Sequence, residues 1–307
     1  MKRTVVGLVT AAVAVLGLTA CGGSSNPLSS GSTPPSGSTG GTITIGSGNF
    51  AESQLLAEVY AGALRAKGVT VNEHLNIGSR EVYFPALKDG SIDLIPDYSG
   101  TLLQYLNKTA AQVSSDDVYT ALKQALPKGL SALDMASAQD KDAIVVTQAT
   151  ANQYHLKSIT DIAPLCGQFT FGGPPELQTR PDGLPGFKSH YNCVFGTFKA
   201  LDAGGPLTVG ALKNGNVQAA DIFTTDASIK ADNLVVLDDP KNNFAAQNVV
   251  PIINTSKDNG TVSAALNAVQ AKLDTATLAQ LDATLAGPTH PDASTVAQDW
   301  LKSVGLG

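Results

Sequence analysis

The sequence is poor in the residues and motifs that usually signal catalysis or metal binding. It has three cysteines and four histidines in 307 residues, and none lies at a spacing typical of a metal site or a redox pair. No zinc-protease, nucleophile-elbow or phosphate-loop motif occurs. The net charge is −6 and no basic cluster is present, which argues against nucleic acid. We therefore expect no enzyme activity, no metal, no cofactor and no nucleic-acid partner.

Only one long apolar run occurs, and it lies near the N-terminus. It extends over residues 5–18 behind Lys2 and Arg3, is shorter than the roughly 20 residues that cross a bilayer, and has the pattern of a signal peptide. The tetrapeptide that ends in Cys21 resembles the bacterial lipobox, which implies cleavage before Cys21 and a lipid on its sulfur. An ordinary secretory peptide with an incidental cysteine is the alternative. We expect a signal peptide over residues 1–20 and a lipid anchor on the extracytoplasmic face of the cell membrane.

The next segment lacks the apolar residues needed for folding. Residues 22–41 are almost entirely Gly, Ser, Thr and Pro, a composition that cannot offset the entropy of ordering. Together with the lipidated cysteine, residues 21–41 are predicted to be a flexible tether between the membrane and a folded domain.

Two cysteines remain after the one assigned to lipidation. Cys166 and Cys193 are an even pair in an exported chain, and exported proteins commonly form disulfides. We predict a Cys166–Cys193 disulfide, with two buried free thiols as the alternative.

A short pattern occurs twice in the folded part. Residues 86–90 read ALKDG and residues 211–215 read ALKNG. Each copy predicts a helix that ends at a glycine in the left-handed region, followed by a short apolar strand at residues 92–95 or 217–222. Strands that alternate with helices predict two related α/β units, each with a mainly parallel sheet, and ligands of such sheets bind at the carboxyl ends of the strands. A chance match in an Ala- and Leu-rich chain is the alternative.

Two further details of local structure are predicted. Asn49 and Glu52 have the spacing of a helix N-cap and its capping partner. The apolar segments at residues 143–147 and 249–253 are predicted to be strands that cross between the two units.

Several segments together resemble the osmoprotectant-binding proteins of ABC importers, the glycine betaine, choline and proline-betaine family. These segments cover the chain after the tether and are residues 45–52, 86–101, 170–172, 180–183, 185–187, 211–215, 225–226 and 234–239. The resemblance implies an α/β type II periplasmic-binding-protein fold, with two lobes joined by a hinge of two crossover strands. We assign residues 42–142 and 250–307 to lobe 1 and residues 143–249 to lobe 2.

The pocket of that family is usually a cage of aromatic rings that attracts a quaternary ammonium by cation–π interaction, with a basic side chain for a carboxylate. The resemblance implies matching ligand-binding residues at Tyr98, Thr101, Asp140 and Arg180. Three further positions depart from the family's pattern. Asp142 stands where a cage tyrosine is common, Phe223 stands where another tyrosine is usual and keeps the ring without the hydroxyl, and Gln247 or Asn248 stands where a further aromatic residue is expected. The remaining candidates are Gly48, where some members have a lysine, and its neighbour Asn49.

These replacements leave the ligand open. A betaine or choline is expected from the family, whereas acids and an amide beside two rings also suit a hydroxylated or aromatic molecule. Arg180 either holds a ligand carboxylate or forms a structural ion pair with Asp182 or Asp226.

The expected function is that of an extracytoplasmic solute-binding lipoprotein that captures a small molecule by hinge closure. Its expected partners are the ligand, an ABC permease with its ATPase, and the membrane through the lipid; the chain is expected to be monomeric. A ligand sensor that docks a membrane receptor is an alternative. An enzyme on the same scaffold is a second one, although no nucleophile–base pair is recognisable.

Overall fold

A computed structural model describes residues 41–307. The predicted signal peptide, Cys21 and the tether up to residue 40 lie outside the described residues. Ten strands occur in the described part, and they are β1 (Ile43–Gly48), β2 (Val71–Gly78), β3 (Leu94–Tyr98), β4 (Leu130–Ala132), β5 (Ile144–Thr147), β6 (Thr170–Gly173), β7 (Thr197–Ala200), β8 (Ala219–Asp221), β9 (Leu234–Val236) and β10 (Val249–Asn254).

Twelve α-helices accompany these strands within the same range. They are α1 (Ala51–Ala66), α2 (Arg80–Asp89), α3 (Ser99–Leu106), α4 (Ser115–Ala125), α5 (Gln148–Tyr154), α6 (Ile159–Ile162), α7 (Leu184–Tyr191), α8 (Pro206–Lys213), α9 (Ala227–Ala231), α10 (Gly260–Gln270), α11 (Thr275–Leu285) and α12 (Ala293–Ser303).

The strands form two five-stranded sheets with the same arrangement. The first has the order β2-β1-β3-β10-β4 and the second the order β7-β6-β8-β5-β9. In each sheet three neighbouring strands are parallel, and the fourth is antiparallel to both of its neighbours. The prediction of two related α/β units is confirmed. Each sheet is mixed rather than mainly parallel, because a strand next to a crossing segment runs opposite to the parallel three.

The repeated ALKxG pattern occupies equivalent places in the two units. Gly90 follows α2 with a φ of +82°, and Gly215 follows the end of α8 with a φ of +71°, so both glycines adopt the left-handed conformation that the sequence predicts. The strand of the first copy is β3, which ends at Tyr98, and that of the second copy is β8. Phe223 lies two residues after β8, so both aromatic residues lie at carboxyl ends of strands.

Two segments connect the sheets, and each leads directly into one of the strands predicted to cross. The predicted strands over residues 143–147 and 249–253 are β5 and β10, and each pairs with two strands of the sheet that it enters. The chain crosses just before β5 and just before β10. There Gln139 and Asn248 form an isolated antiparallel bridge, and the Asp140 N–H donates to the Gln247 carbonyl at 3.1 Å.

Each sheet has its own apolar core. Leu55, Tyr60 and Trp300 are buried in a cluster where α1, α10 and α12 cover the first sheet. In the second lobe the cluster contains Phe171 and Phe187, and it also contains the disulfide between Cys166 and Cys193. Within residues 41–307, no helix has both the length and the apolar character needed to cross a bilayer.

Candidate ligand-binding cleft

A cleft between the two lobes collects most of the predicted ligand residues. Eight of the nine line it, namely Asn49, Tyr98, Thr101, Asp140, Asp142, Arg180, Phe223 and Gln247. The residues that the sequence analysis did not select include Phe50, Arg80, Tyr83 and Glu176. The cleft lies here because the loops after β1, β3 and β8 meet at the carboxyl ends of these strands.

The ninth residue, Gly48, does not line the cleft. Its N–H donates to the Ser53 hydroxyl at 2.8 Å, and a Cβ at this position would lie 3.0 Å from the Phe50 ring. The prediction that Asn49 caps α1 is wrong, since Phe50 occupies the N-cap position and no side chain caps the helix. Glu52 cannot serve as a capping partner because it is buried and its two carboxylate oxygens accept hydrogen bonds from Tyr98 and Thr225.

Three aromatic rings form a row in the cleft. The centroid of the Phe50 ring lies 5.9 Å from that of Tyr98 and 5.2 Å from that of Phe223. Gly204 makes room for this row, because a Cβ there would lie 2.8 Å from the Phe223 ring. Tyr83 contributes a fourth ring to the lining. Phe50 and Tyr83 therefore add two aromatic rings to the lining beyond those predicted from the sequence.

Glu52 is hydrogen-bonded to a residue that lines the cleft, and it was not predicted from the sequence as a ligand-binding residue. The Tyr98 hydroxyl donates to its Oε1 at 2.5 Å, and the Thr225 hydroxyl donates to its Oε2 at 2.8 Å. Burial, and after it the charge of Asp282, raises the pKa of Glu52 well above its usual value. Because Thr225 follows β8, the hydrogen bond between Glu52 and Thr225 joins the two lobes.

Asp140 lies at the crossing segment beside this carboxyl group. Its Oδ1 accepts the Thr225 N–H at 3.1 Å and the Thr224 hydroxyl at 3.3 Å. Burial, together with the charge of Glu52, raises the pKa of Asp140 well above its usual value. Burial also raises the pKa of Asp282 to about 7. Glu52, Asp140 and Asp282 thus form a group of neighbouring acids, in which burial is the main cause of each raised pKa. The charge of Asp140 adds to the rise at Asp282, whereas a hydrogen bond with Glu52 opposes it.

The opposite part of the cleft contains a buried ion pair. Arg80 binds Asp97 through its Nε at 3.1 Å and its Nη2 at 2.5 Å, and the two side chains are 6% and 0% exposed. Asp97 also accepts the Tyr98 N–H at 2.7 Å. The Arg80 guanidinium lies 5.9 Å from the centroid of the Tyr83 ring. The charge of Arg80 is therefore balanced within the first lobe.

Arg180 is paired across the cleft. Its Nε and Nη2 donate to the two carboxylate oxygens of Glu81, both at 3.0 Å, and Glu176 lies 3.7 Å away. Burial opposes ionisation of Glu81, but the hydrogen bonds and charge of Arg180 outweigh it and lower the pKa of Glu81 to about 2. The predicted alternative, an ion pair with Asp182 or Asp226, has the wrong partners, because α2 of the first lobe presents Glu81 to Arg180.

Asp142 belongs to a second group of buried acids. Burial raises the pKa of Asp142, against the opposing charges of Arg180 and Arg80, and burial raises the pKa of Asp182 to about 6. Neither carboxylate oxygen of Asp221 has a hydrogen-bond partner among the described residues. Residues 41–307 contain no group of three or more His, Cys, Asp or Glu side chains arranged to hold a metal ion.

Thr101 and Gln247 are hydrogen-bonded to each other. The Thr101 N–H donates to Gln247 Oε1 at 2.9 Å, and the Gln247 amide nitrogen donates to the Thr101 hydroxyl. The other candidate for this position, Asn248, is buried and donates to the Ala136 carbonyl at 2.9 Å. Both ends of the Gln247 amide are thus occupied, which gives this residue a positioning role in the described conformation.

The chain matches known proteins over almost its whole described length. Residues 41–303 match the family model described as the substrate binding domain of ABC-type glycine betaine transport system. Glycine betaine-binding protein YehZ of Escherichia coli (strain K12) is 28% identical over 277 residues, which cover 86% of this chain and 90% of that protein.

Two further similarities add to this match. A crystal structure of a glycine betaine/carnitine/choline ABC transporter protein superposes with a TM-score of 0.68 at 24% identity, over 86% of this chain and 99% of that one. Ergothioneine transport permease/ergothioneine binding protein EgtU of Helicobacter pylori (strain G27) is 24% identical over 196 residues, which cover 63% of this chain and 35% of that protein. The predicted type II periplasmic-binding-protein fold is confirmed.

Proposed function

The chain belongs to the family of substrate-binding domains of ABC-type glycine betaine transport systems, and from this premise we propose that it captures a quaternary ammonium osmoprotectant of the betaine and choline class. The row of rings formed by Phe50, Tyr98 and Phe223 carries this proposal. Ring faces attract a quaternary ammonium, which cannot donate hydrogen bonds, by about 0.5–2 kcal/mol each. The acidic side chains of Glu52 and Asp140 lie beside these rings, and a bound cation would stabilise their ionised forms.

The charges of the cleft favour a cation without a carboxylate. Arg80 and Arg180 are the basic residues that line it in the described part of the chain, and they are paired with Asp97 and Glu81. A ligand carboxylate would have to displace one of these pairs, whereas a choline-like cation would not. We therefore place choline ahead of glycine betaine as the preferred ligand.

A hydroxylated or aromatic ligand is a second candidate. It is supported by the similarity to a protein named as an ergothioneine binder and by the four aromatic side chains at the cleft, which stack with ring systems as readily as with an ammonium.

Hinge closure is the proposed mechanism of capture. Hydrogen bonds between Glu52 and Thr225 and between Arg180 and Glu81 join groups on the two sides of the cleft. The crossing segments near residues 139 and 248 would have to change φ and ψ for the lobes to separate. The proposed lobes are residues 42–142 with 250–307 and residues 143–249, which is supported by the composition of the two sheets.

The proposed location is the outer face of the cell membrane. Its support is the sequence of residues 1–41, with a signal peptide over residues 1–20, lipidation at Cys21 and a tether after it. The proposed monomer would deliver its ligand to an ABC permease and its ATPase.

The test is a titration of the purified chain with choline, glycine betaine and ergothioneine, followed by uptake assays in a deletion strain. We expect saturable choline binding, and loss of choline uptake when the gene is deleted. Binding of ergothioneine alone would support the second candidate. Absence of binding by every quaternary ammonium would contradict the proposed class.

A further inference from the structure

A second and larger cavity adjoins the cleft. The cleft encloses about 50 Å³ and the second cavity about 510 Å³. Four residues line both spaces, namely Phe50, Asp140, Ala203 and Phe223. The Phe50 and Phe223 rings, with centroids 5.2 Å apart, are therefore a shared wall, and the second cavity is the continuation of the cleft beyond that wall.

The second cavity is lined by acidic side chains. Glu52, Asp140 and Asp282 line it, and no lysine or arginine is among its lining residues in the described part of the chain. Two other acids on its wall are already engaged: Asp226 accepts the Ser228 N–H, and Asp232 binds Lys213 at 2.5 Å.

Asp140 lines both the cleft and the second cavity, and it has a carboxylate oxygen that a ligand can reach. Its residue is 5% exposed, and its hydrogen bonds with the described residues all use Oδ1. The other oxygen, Oδ2, accepts no hydrogen bond from the described residues, and Asp140 lines both cavities. Because Oδ2 is not among the buried oxygens that lack a partner, it is open to a ligand group, and a donor on the ligand could form a charge-assisted hydrogen bond with it.

The rest of the lining suits a hydrocarbon segment. Pro206, Val209 and Leu285 contribute apolar surface to the second cavity. A ligand that reached the acids from the aromatic rings would pass along this surface and bury its own carbon chain or ring there.

We propose that the ligand has two cationic ends, a quaternary ammonium on the aromatic rings of the cleft and a hydrogen-bonding ammonium or guanidinium in the second cavity. This inference rests on the proposed function and narrows its ligand class. The quaternary end needs only ring faces. The second end has N–H donors, and charge-assisted hydrogen bonds to carboxylates such as Asp282 are the strong kind.

The test compares two synthetic ligands of equal length on the purified full chain. One is pentyltrimethylammonium, and the other is the aminopentyl analogue, which differs by a terminal ammonium. Isothermal titration at pH 8 gives both affinities. We expect the aminopentyl compound to bind at least about tenfold more tightly, as for one added hydrogen bond to a charged group.

Two variants that each remove one carboxylate test whether Asp282 is the source of the higher affinity for the aminopentyl compound. Asp282→Asn should remove most of the advantage of the aminopentyl compound over pentyltrimethylammonium. Asp299→Asn is the matched control, because Asp299 lies on α12 outside both cavities and is 73% exposed; it should leave the advantage intact.

The outcomes separate this inference from the proposed function. Choline binding without any advantage of the aminopentyl compound in the unmodified chain would overturn the inference alone. The inference alone would also be overturned if the advantage survived Asp282→Asn, or if Asp299→Asn reduced it by the same factor. Absence of binding by choline and by both synthetic compounds would overturn the inference and the proposed function together.

Discussion

Acidic side chains occur at both ends of the cleft, but they are paired with arginines at one end only. At one end, which we call the paired end, Asp97 and Glu81 bind Arg80 and Arg180. At the other, where the cleft continues into the second cavity and which we call the acidic end, Glu52, Asp140 and Asp282 line that cavity and are absent from every ion pair of the described residues.

The pKa values show the consequence of this difference. Arginine holds the pKa of Glu81 at about 2 despite burial, whereas burial without a cation raises the pKa of Asp282 to about 7. A carboxyl group that is hydrogen-bonded to a guanidinium is stabilised in its ionised form by the protein, whereas one that is buried beside other carboxyl groups is not. The acidic end is therefore the part of the cleft that a cationic ligand would stabilise.

The largest effect is expected from breaking the paired end. Arg80→Met leaves the Asp97 carboxylate, which is 0% exposed, without its cation, and this should reduce the free energy of unfolding by about 3–5 kcal/mol. Chemical denaturation measures the change. Arg65→Met is the control, because the Arg65–Glu73 pair is 48% and 23% exposed and should contribute about 1 kcal/mol or less. Equal losses in both variants would mean that burial does not distinguish the two pairs.

The acidic end should make stability depend on pH with a defined sign. Asp282 keeps its proton in the folded protein up to a pH of about 7, whereas in the unfolded chain it loses the proton near its ordinary pKa of about 4. The folded state thus binds more protons between these values, so this contribution to stability is present below about pH 4 and is lost as the pH rises to about 7.

Thermal unfolding between pH 4 and pH 8 measures this dependence. Asp282→Asn removes one titrating group, and we expect a smaller fall in the melting temperature over that range than in the unmodified chain. Asp299→Asn, an exposed change of the same kind, should leave the fall unaltered. An identical pH profile for Asp282→Asn would show that Asp282 does not titrate in this window.

Removal of an aromatic ring should weaken ligand binding by an intermediate amount. Tyr98→Ala deletes one wall of the row and should lower choline affinity about three- to thirtyfold, the range of one cation–π contact. Tyr98→Phe is the control, since it keeps the ring and removes only the hydroxyl group that donates to Glu52. Unchanged affinity in Tyr98→Ala would remove this ring from the site.

The smallest effect is expected from loosening the contact between the lobes at the paired end. Glu81→Gln weakens the partly exposed pair with Arg180 and should lower choline affinity about two- to fivefold through a less stable closed form. Glu176→Gln, a change at an acid 3.7 Å from the same arginine, is the control and should have little effect. Tighter binding of glycine betaine by Glu81→Gln would instead identify Arg180 as a ligand residue that Glu81 competes for.

Much of the fold was predictable from local sequence. The two ALKxG copies mark equivalent helix ends because only glycine adopts the left-handed conformation there without a penalty, and both glycines have positive φ. The helix cap at Asn49 was predicted wrongly, and the strands predicted to cross at residues 143–147 and 249–253 begin directly after the crossings. In each case a distant partner decided the outcome: donors from Tyr98 and Thr225 hold Glu52 away from the helix end, and neighbouring strands incorporate β5 and β10 into the sheets.

The candidate site was predictable only in part. Family resemblance led to Tyr98, Phe223 and Arg180, which line the cleft, but their roles as ligand residues remain predictions. Phe50 and Glu52 carried no separate signal, because an aromatic residue and an acid at the start of a helix are ordinary. Only the approach of loops from both lobes gives them a function in the cleft.

The sequence by itself determined the class of protein, the repeated α/β plan and the residues that end its strands, because these follow from local conformational preference and apolar pattern. Tertiary structure alone decided which charges are neutralised. Arg80 and Asp97 are separated by 16 intervening residues in the sequence, Arg180 and Glu81 by many more, and nothing local selects these pairs. The same folding brings Glu52, Asp140 and Asp282 together without a cation, because the two arginines of the cleft are held by other carboxylates at its opposite end.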